Sequence, residues 1–427
     1  MRSVGPILSI VIPALNEEGA IGSTIRRCLE ARPALLSEVG LSDVEILVVS
    51  DGSTDRTEAI ACSFEDVTVI TFERNRGYGA AIKCGFELAR GDLLGFIDAD
   101  GTCDPHFFVD LCHALDREGA DVALGSRMNA GSLMPRIRRL GNLIFALILG
   151  LLSRRIIGDT ASGMRVLRRS CLLDLYPLPD GLHFTPAMTA RVLLEGKLKL
   201  VEVPMPYAER VGGSKLSVVR DGFRFLISII QAAMCYRPAR PLLVVSFLGA
   251  VVSFWVGLEP TVFYLRHSRL EEWMIYRIML TSLVATMVAL LVSSAVVAER
   301  IAATAHDRPP SDRGITALIS RLFTRRGRRL IGAFLVACAL ALTVRGIAEY
   351  ATTGHVTIHW SRVMLASLLL VLAAALGTAT FLLNMLDLIQ MQRQGASGVH
   401  PPHRVRRASP AIGAKPFGST DLGDDPA

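Results

Sequence analysis

Leu93-Leu94-Gly95-Phe96-Ile97-Asp98-Ala99-Asp100-Gly101 is the stretch on which the fold of the first half of this chain turns. A short apolar run closed by a turn reads as a buried strand. It ends in two carboxylates spaced two apart, so on extended chain both project to one side. Such a pair can address a single hard cation through oxygen ligands. Taken alone, the pattern reads equally well as a capped turn, because Asp-Gly turns the chain and Pro105 suits the first turn of a helix.

The flanking sequence repeats the design. Further strand patterns lie at 8–12, 44–49, 67–72 and 121–125, with helical patterns at 17–30, 79–89 and 105–117 between them. Strands alternating with helices of that length predict an α/β domain built on a doubly wound, mostly parallel sheet. Ligands of open sheets of this kind sit beyond the carboxyl ends of the strands. Those ends are polar here: Pro13-Ala14-Leu15-Asn16-Glu17-Glu18, Asp51-Gly52-Ser53-Thr54-Asp55, and Asn75-Arg76-Gly77-Tyr78-Gly79-Ala80-Ala81. Each alone reads as a helix cap or turn. With Asp98 and Asp100 they converge on one rim. Gly77-Tyr78-Gly79 is no dinucleotide fingerprint, since Ile82 replaces the third glycine and the strand is the wrong one.

The second half has a different character. Hydrophobic residues make up 51% of the 427 and charged residues only 20%, which excludes a disordered chain and an ordinary soluble enzyme. The excess sits in apolar runs at 242–265, 278–298, 330–348 and 363–386, each close to the ~20 residues that a bilayer span requires. Two shorter apolar segments, 133–152 and 217–236, carry flanking arginines and predict helices lying in the membrane interface. The expected order is therefore an α/β domain over 1–216, a juxtamembrane helix over 217–241, an all-α domain of four transmembrane helices over 242–390, and a disordered tail over 391–427.

Net charge is +7, with 46 basic and 39 acidic residues, but the arginines stand beside apolar runs rather than among aromatics, so nucleic acid is not the expected partner. The loop with Arg300, Arg308, Arg313, Arg321, Arg325, Arg326, Arg328 and Arg329 belongs on the cytoplasmic side. That places the α/β domain and both termini in the cytoplasm, at the plasma membrane or its equivalent, although Arg266, Arg269 and Arg277 then lie outside. No secretory signal is evident around Pro13. Eight scattered cysteines form neither a CxxC pair nor a zinc spacing. His355 and His359 fall in an outer loop, where solvated side chains are the default.

The order IVIPALNEE, VVSDGSTDRT, NRGYGAA, FIDADG, GSRMNAGS and DTASGMRVLRR resembles family 2 glycosyltransferases of the GT-A fold. Tyr207-Ala208-Glu209-Arg210-Val211-Gly212-Gly213-Ser214-Lys215-Leu216 further resembles the RxxGxSK element of dolichyl-phosphate mannose synthases and bacterial polyprenyl-phosphate glycosyltransferases. The likeness covers roughly 7–235. It implies an inverting, metal-dependent transfer of one sugar from a nucleotide-diphosphate donor to a polyprenyl phosphate at the cytoplasmic face. Pro13, Glu17 and Asp51 would line the nucleotide pocket, and Asp98 and Asp100 would hold Mg²⁺ or Mn²⁺. Arg127, Arg210, Ser214 and Lys215 would receive phosphates, with Arg210 and Lys215 acting in catalysis beside the two aspartates. Ser132, Arg139 and His183 complete the expected substrate contacts.

The sequence departs from that pattern at Ser50, where relatives often carry Asp, at Thr102, where mannose synthases usually carry Gln, and at His183, in a region where relatives often place a carboxylate. The QxxRW motif of processive synthases is missing. Two alternatives stand beside the main reading. Transfer to a neutral lipid hydroxyl would need a base from Asp159, Asp180 or His183. A non-catalytic membrane scaffold would need none of these groups.

Overall fold

The computed structural model describes residues 5–129, 131–213, 217–306, 325–357 and 359–397. The amino-terminal part is a seven-stranded sheet. Its strands are β1 (Ile7–Ala14), β2 (Asp43–Ser50), β3 (Thr68–Thr71), β4 (Leu93–Ile97), β5 (Val122–Ser126), β6 (Met164–Arg168) and β7 (Leu200–Pro204). Their order across the sheet is β3-β2-β1-β4-β6-β5-β7. β1, β2, β3 and β4 run parallel, as do β5 and β7. β6 is inserted antiparallel between β4 and β5. The expected mostly parallel sheet is present, with two strands, β6 and β7, that the hydrophobic pattern did not announce.

Both sheet faces are covered, which explains the near-continuous apolar runs of the central strands. On one face Ile10, Ile12 and Ile97 pack with Ile25 and Leu35 of α1 (Ile21–Glu38) and Leu111 of α4 (Phe108–Arg117). On the other, Val11 and Phe96 pack with Phe86 of α3 (Tyr78–Leu88) and Phe184 and Met188 of α7 (Phe184–Glu195). Two short helices, α2 (Thr57–Ala61) and α6 (Leu172–Leu175), complete the connections. A third apolar cluster joins Leu149 and Leu152 of α5 (Arg136–Ser153), Leu193 of α7, and Ile229 and Ala233 of α8 (Val218–Tyr236).

α5 and α8 occupy the segments expected at the membrane interface. Each buries one stripe in that third cluster and leaves another bare: Leu140, Leu143, Leu147 and Leu151 on α5, and Val219, Phe223 and Ile230 on α8, are exposed. Four long apolar helices follow, each long and apolar enough to cross a membrane. They are α9 (Ala239–His267), α10 (Ile275–Ala305), α11 (Arg325–Thr353) and α12 (Trp360–Ser397). α9 packs along α10 and α11 along α12, and the two hairpins meet where α10 touches α12. α12 continues to Ser397, past residue 391, where the sequence pattern predicted a disordered tail. Residues 398–427 and the loop arginines Arg308, Arg313 and Arg321 lie outside the described residues.

Candidate active site

A cleft of about 530 Å³ opens at the carboxyl ends of β1, β2 and β4. Pro13, Glu17, Asp51, Asp98, Asp100, Arg127 and Arg210 all line it, so the sheet brings together seven of the residues singled out by sequence. The loops behind them are stitched to one another. Asn16 Oδ1 accepts from the Thr54 N–H at 2.7 Å, while Ser53 Oγ accepts from the Asn16 N–H at 3.1 Å. The Glu17 N–H donates to Thr57 Oγ1 at 2.8 Å and the Glu18 N–H to Asp55 Oδ2 at 3.1 Å. Much of the Ser53–Asp55 turn chemistry is therefore structural. It leaves Glu17 facing the cleft.

Asp51 is buried and accepts from the Arg76 N–H at 2.7 Å and the Gly77 N–H at 2.9 Å. Burial raises its pKa above the usual carboxylate range despite these two bonds. Its carboxylate thus ties the end of β2 to the loop before α3. Gly77 has φ +108°, and a side chain there would strike the Asp180 carbonyl oxygen at 2.4 Å. Glycine is needed at that point for both reasons.

On the floor of the cleft, Asp98 Oδ1 accepts from the Tyr78 hydroxyl at 2.7 Å. Asp100 Oδ1 accepts from Thr102 Oγ1 at 2.6 Å and from the Thr102 N–H at 3.1 Å. Arg210 spans the rim: its guanidinium donates to Glu17 Oε1 at 2.9 Å and approaches Asp100 Oδ2 at 3.2 Å. Burial, followed by the charge of Asp100, pushes the Asp98 carboxyl up to about 7.

Among the described residues no group of three or more His, Cys, Asp or Glu side chains is placed to hold a metal by itself. Two carboxylates at the base of an open cleft suit a Mg²⁺ or Mn²⁺ ion that keeps its other positions for diphosphate and water. The donor set fits such an ion, and the mutual repulsion of the two carboxylates is what a cation would relieve.

Arg127 lines the cleft but is largely engaged elsewhere. Its Nε and Nη2 form a two-pronged pair with the fully buried Asp159 at 2.7 and 2.9 Å, and its own N–H donates to the same carboxylate at 3.0 Å. Burial alone would raise Asp159; the Arg127 charge and hydrogen bonds override it and hold the carboxyl below its ordinary range. Asp180, beside the cleft, is paired with Lys83 at 2.5 Å.

Ser132, Arg139 and His183 stand outside the cleft wall. Ser132 bridges to Tyr207, and its Oγ accepts from the Met134 N–H at 3.3 Å. Arg139 is exposed on α5, and its neighbour Arg138 faces the cleft instead. His183 precedes α7, and burial, then Arg224, lowers its proton affinity. Ser214 and Lys215 lie outside the described residues. Sequence reasoning missed Tyr78 and Gly163 on the floor, and Arg220, Arg224 and Phe225 of α8 on the wall. The flanking arginines of the predicted α8 segment were the one available signal for the last group.

Residues 9–175 match the family model described as "Glycosyl transferase family 2". Among similar proteins is a dolichyl-phosphate hexose transferase of Haloferax volcanii, 31% identical over 53% of this chain and 94% of that protein. An undecaprenyl-phosphate 4-deoxy-4-formamido-L-arabinose transferase of Salmonella choleraesuis is 30% identical over 59% of this chain and 75% of that protein. A low-salt glycan biosynthesis hexosyltransferase of Haloferax volcanii is 32% identical over 60% of this chain, and the match spans 61% of its length. A solved glucosyl-3-phosphoglycerate synthase of Mycobacterium tuberculosis, in complex with Mn²⁺ and UDP, aligns with a TM-score of 0.44 at 22% identity, over 54% of this chain and 80% of that one. The chain belongs to glycosyltransferase family 2. Its catalytic domain is the doubly wound, mostly parallel sheet described above, followed by the four apolar helices.

Proposed function

We propose that this chain transfers a single sugar, with inversion, from a nucleotide-diphosphate sugar to a polyprenyl phosphate held at the membrane surface. The observation that carries this reading is the continuity of the cleft. One end holds Asp98, Asp100 and Arg210; the other runs between α5 and α8, past Ile137, Phe145 and Phe225, beside Arg138, Arg220 and Arg224. A diphosphate fits the first end and a lipid phosphate with an apolar tail fits the second. The relatives named for dolichyl-phosphate and undecaprenyl-phosphate transfer support the same acceptor class.

Asp98 and Asp100 would hold the Mg²⁺ or Mn²⁺ ion, which when bound neutralises charge on the leaving diphosphate. Arg210 already lies against Asp100 and Glu17, so its guanidinium is placed to meet phosphate oxygens at that rim. Glu17 orients that guanidinium. The acceptor phosphate is an anion, so its attack on the anomeric carbon rests on alignment and needs no strong base. That agrees with the pairing of Asp159 to Arg127 and Asp180 to Lys83, which takes up two of the groups a neutral hydroxyl acceptor would require.

The catalytic domain would face the cytoplasm. Arg237, Arg240, Arg300, Arg326, Arg328 and Arg329 mark the helix ends on the catalytic-domain side. Tyr264, Trp273, Tyr276, Tyr350 and Trp360 mark the opposite ends, as aromatic residues do at an interface. The test is transfer of radiolabel from a panel of nucleotide sugars to polyprenyl phosphate in purified membranes, with and without Mn²⁺. A lipid product labile to mild acid is expected. Absence of lipid-linked label from every donor, or an acid-stable glycolipid, overturns the proposal.

A further inference from the structure

The register of the inserted strand places a particular residue opposite the first metal carboxylate. β4 and β6 run antiparallel with Ile97 paired to Met164. The next residue along β4 is Asp98, and the residue preceding Met164 is Gly163, so the two face one another across the ladder. The contact is close: a Cβ on Gly163 would lie 2.0 Å from Asp98 Oδ2 and 2.4 Å from its Cγ. Only a bare Cα leaves room for the carboxylate in this orientation. The other oxygen is fixed from above, where Tyr78 at the first turn of α3 donates its hydroxyl to Oδ1 at 2.7 Å.

Both supports are themselves held. Ser162 Oγ donates to the Gly125 carbonyl at 2.5 Å. Arg165, fully buried, donates from Nε to the Ser162 carbonyl and from Nη2 to the Thr160 carbonyl, each at 3.1 Å. These bonds pin the turn that carries Gly163. Tyr78 is fixed by the α3 start, where the Ala80 N–H donates to the Asp180 carbonyl at 3.1 Å.

We infer that Tyr78 and Gly163 are positioning residues that set the plane of the Asp98 carboxylate for a divalent cation. The inference rests on the reading of Asp98 as a cation ligand. Groups that orient a ligand commonly change metal affinity by an order of magnitude or more when removed. Tyr78→Phe deletes only the hydroxyl and leaves no cavity. Gly163→Ala pushes the carboxylate away from its seat.

The test uses the purified full-length chain with Mn²⁺ alone, free ion being counted by electron paramagnetic resonance. Asp98→Asn serves as the reference variant. Tyr78→Phe is expected to weaken Mn²⁺ binding roughly tenfold, and Gly163→Ala at least as much. In the transfer assay the Mn²⁺ activation constant of Tyr78→Phe rises by the same factor, and most of the lost rate returns at saturating Mn²⁺. A loss of fold would not be repaired by metal. Should Gly163→Ala fail to fold, Tyr78→Phe decides alone. Mn²⁺ affinity of Tyr78→Phe within twofold of wild type overturns the positioning role, even where Asp98→Asn abolishes binding. Wild-type affinity in Asp98→Asn overturns the cation-site reading and the inference with it.

Discussion

At the scale of single residues, Asp98 carries two opposed demands. In the proposed role as a cation ligand it must be ionised, yet burial and the neighbouring Asp100 push its carboxyl up to about 7. In the metal-free chain the native state therefore keeps a proton that the unfolded chain has released above about pH 4. The contribution to stability is full below that pH and is lost as pH rises through 7. A cation bound at Asp98, as proposed, would reverse the trend, because it competes with that proton. Mn²⁺ affinity should accordingly rise about tenfold from pH 6 to pH 8, and the thermal stabilisation by Mn²⁺ should be larger at pH 8. Affinity that stays flat across this range would mean that Asp98 does not set it. The charged members of the candidate site were legible in the sequence because several polar strand ends, each explicable alone as a cap or turn, converge on one rim of the sheet. Tyr78 and Gly163 were not. A tyrosine opening a helix reads as a core aromatic, and the need for glycine at 163 exists only across a strand pairing that no local pattern discloses.

At the scale of elements, β6 was the part of the sheet hardest to foresee. Met164-Arg165-Val166-Leu167-Arg168 mixes two arginines with three apolar residues and keeps no strict period of two, so it announces neither a buried nor a half-buried strand. Yet Arg165 is fully buried, its proton affinity lowered by burial to about 10, with two carbonyl oxygens as acceptors. The segment leading into β6 is fastened to the end of β5 by the Arg127–Asp159 pair, which reaches 0% exposure at the carboxylate. Removing one partner of a buried pair strands the other charge. Asp159→Asn should therefore destabilise the catalytic domain by about 3–5 kcal/mol, measured by thermal unfolding in detergent. Replacing both partners with apolar residues should cost less than that single change. If Asp159→Asn unfolds at the wild-type temperature, the pair is not what holds this segment. The helices α5 and α8, by contrast, could be read directly as helices. Arginines beside apolar runs too short to span gave both positions, and only the facing of Arg138 rather than Arg139 required the helix to be seen in place, since one residue turns the side chain by about 100°.

At the scale of the molecule, the proposed transfer to a lipid phosphate would require the cleft to sit at a fixed height above the bilayer. The junction between α8 and α9 supplies a means of fixing it. Arg237 Nε donates to the Leu194 carbonyl at 3.1 Å, near the carboxyl end of α7, and Arg240 donates to the Leu152 carbonyl near the end of α5. Cations are favoured at the ends of helices where carbonyls lack partners. From the membrane side, Glu299 of α10 approaches Arg237 at 3.8 Å and accepts from the Ala239 N–H at 3.4 Å. Arg191 of α7 lies over the Tyr236 ring at 5.3 Å, and Tyr236 in turn packs on His306 at 4.9 Å. Two helices of the catalytic domain are thereby bound to the first two apolar helices through side chains that do not line the cleft. Loosening this joint should impair the reaction only where height matters. Arg237→Ala and Glu299→Ala are each expected to raise the KM for a long-chain polyprenyl phosphate in liposomes several-fold. Transfer to a short, water-soluble prenyl phosphate in detergent should be much less affected, because that acceptor reaches the cleft from solution. Equal losses on both acceptors would identify the joint as support for the fold alone.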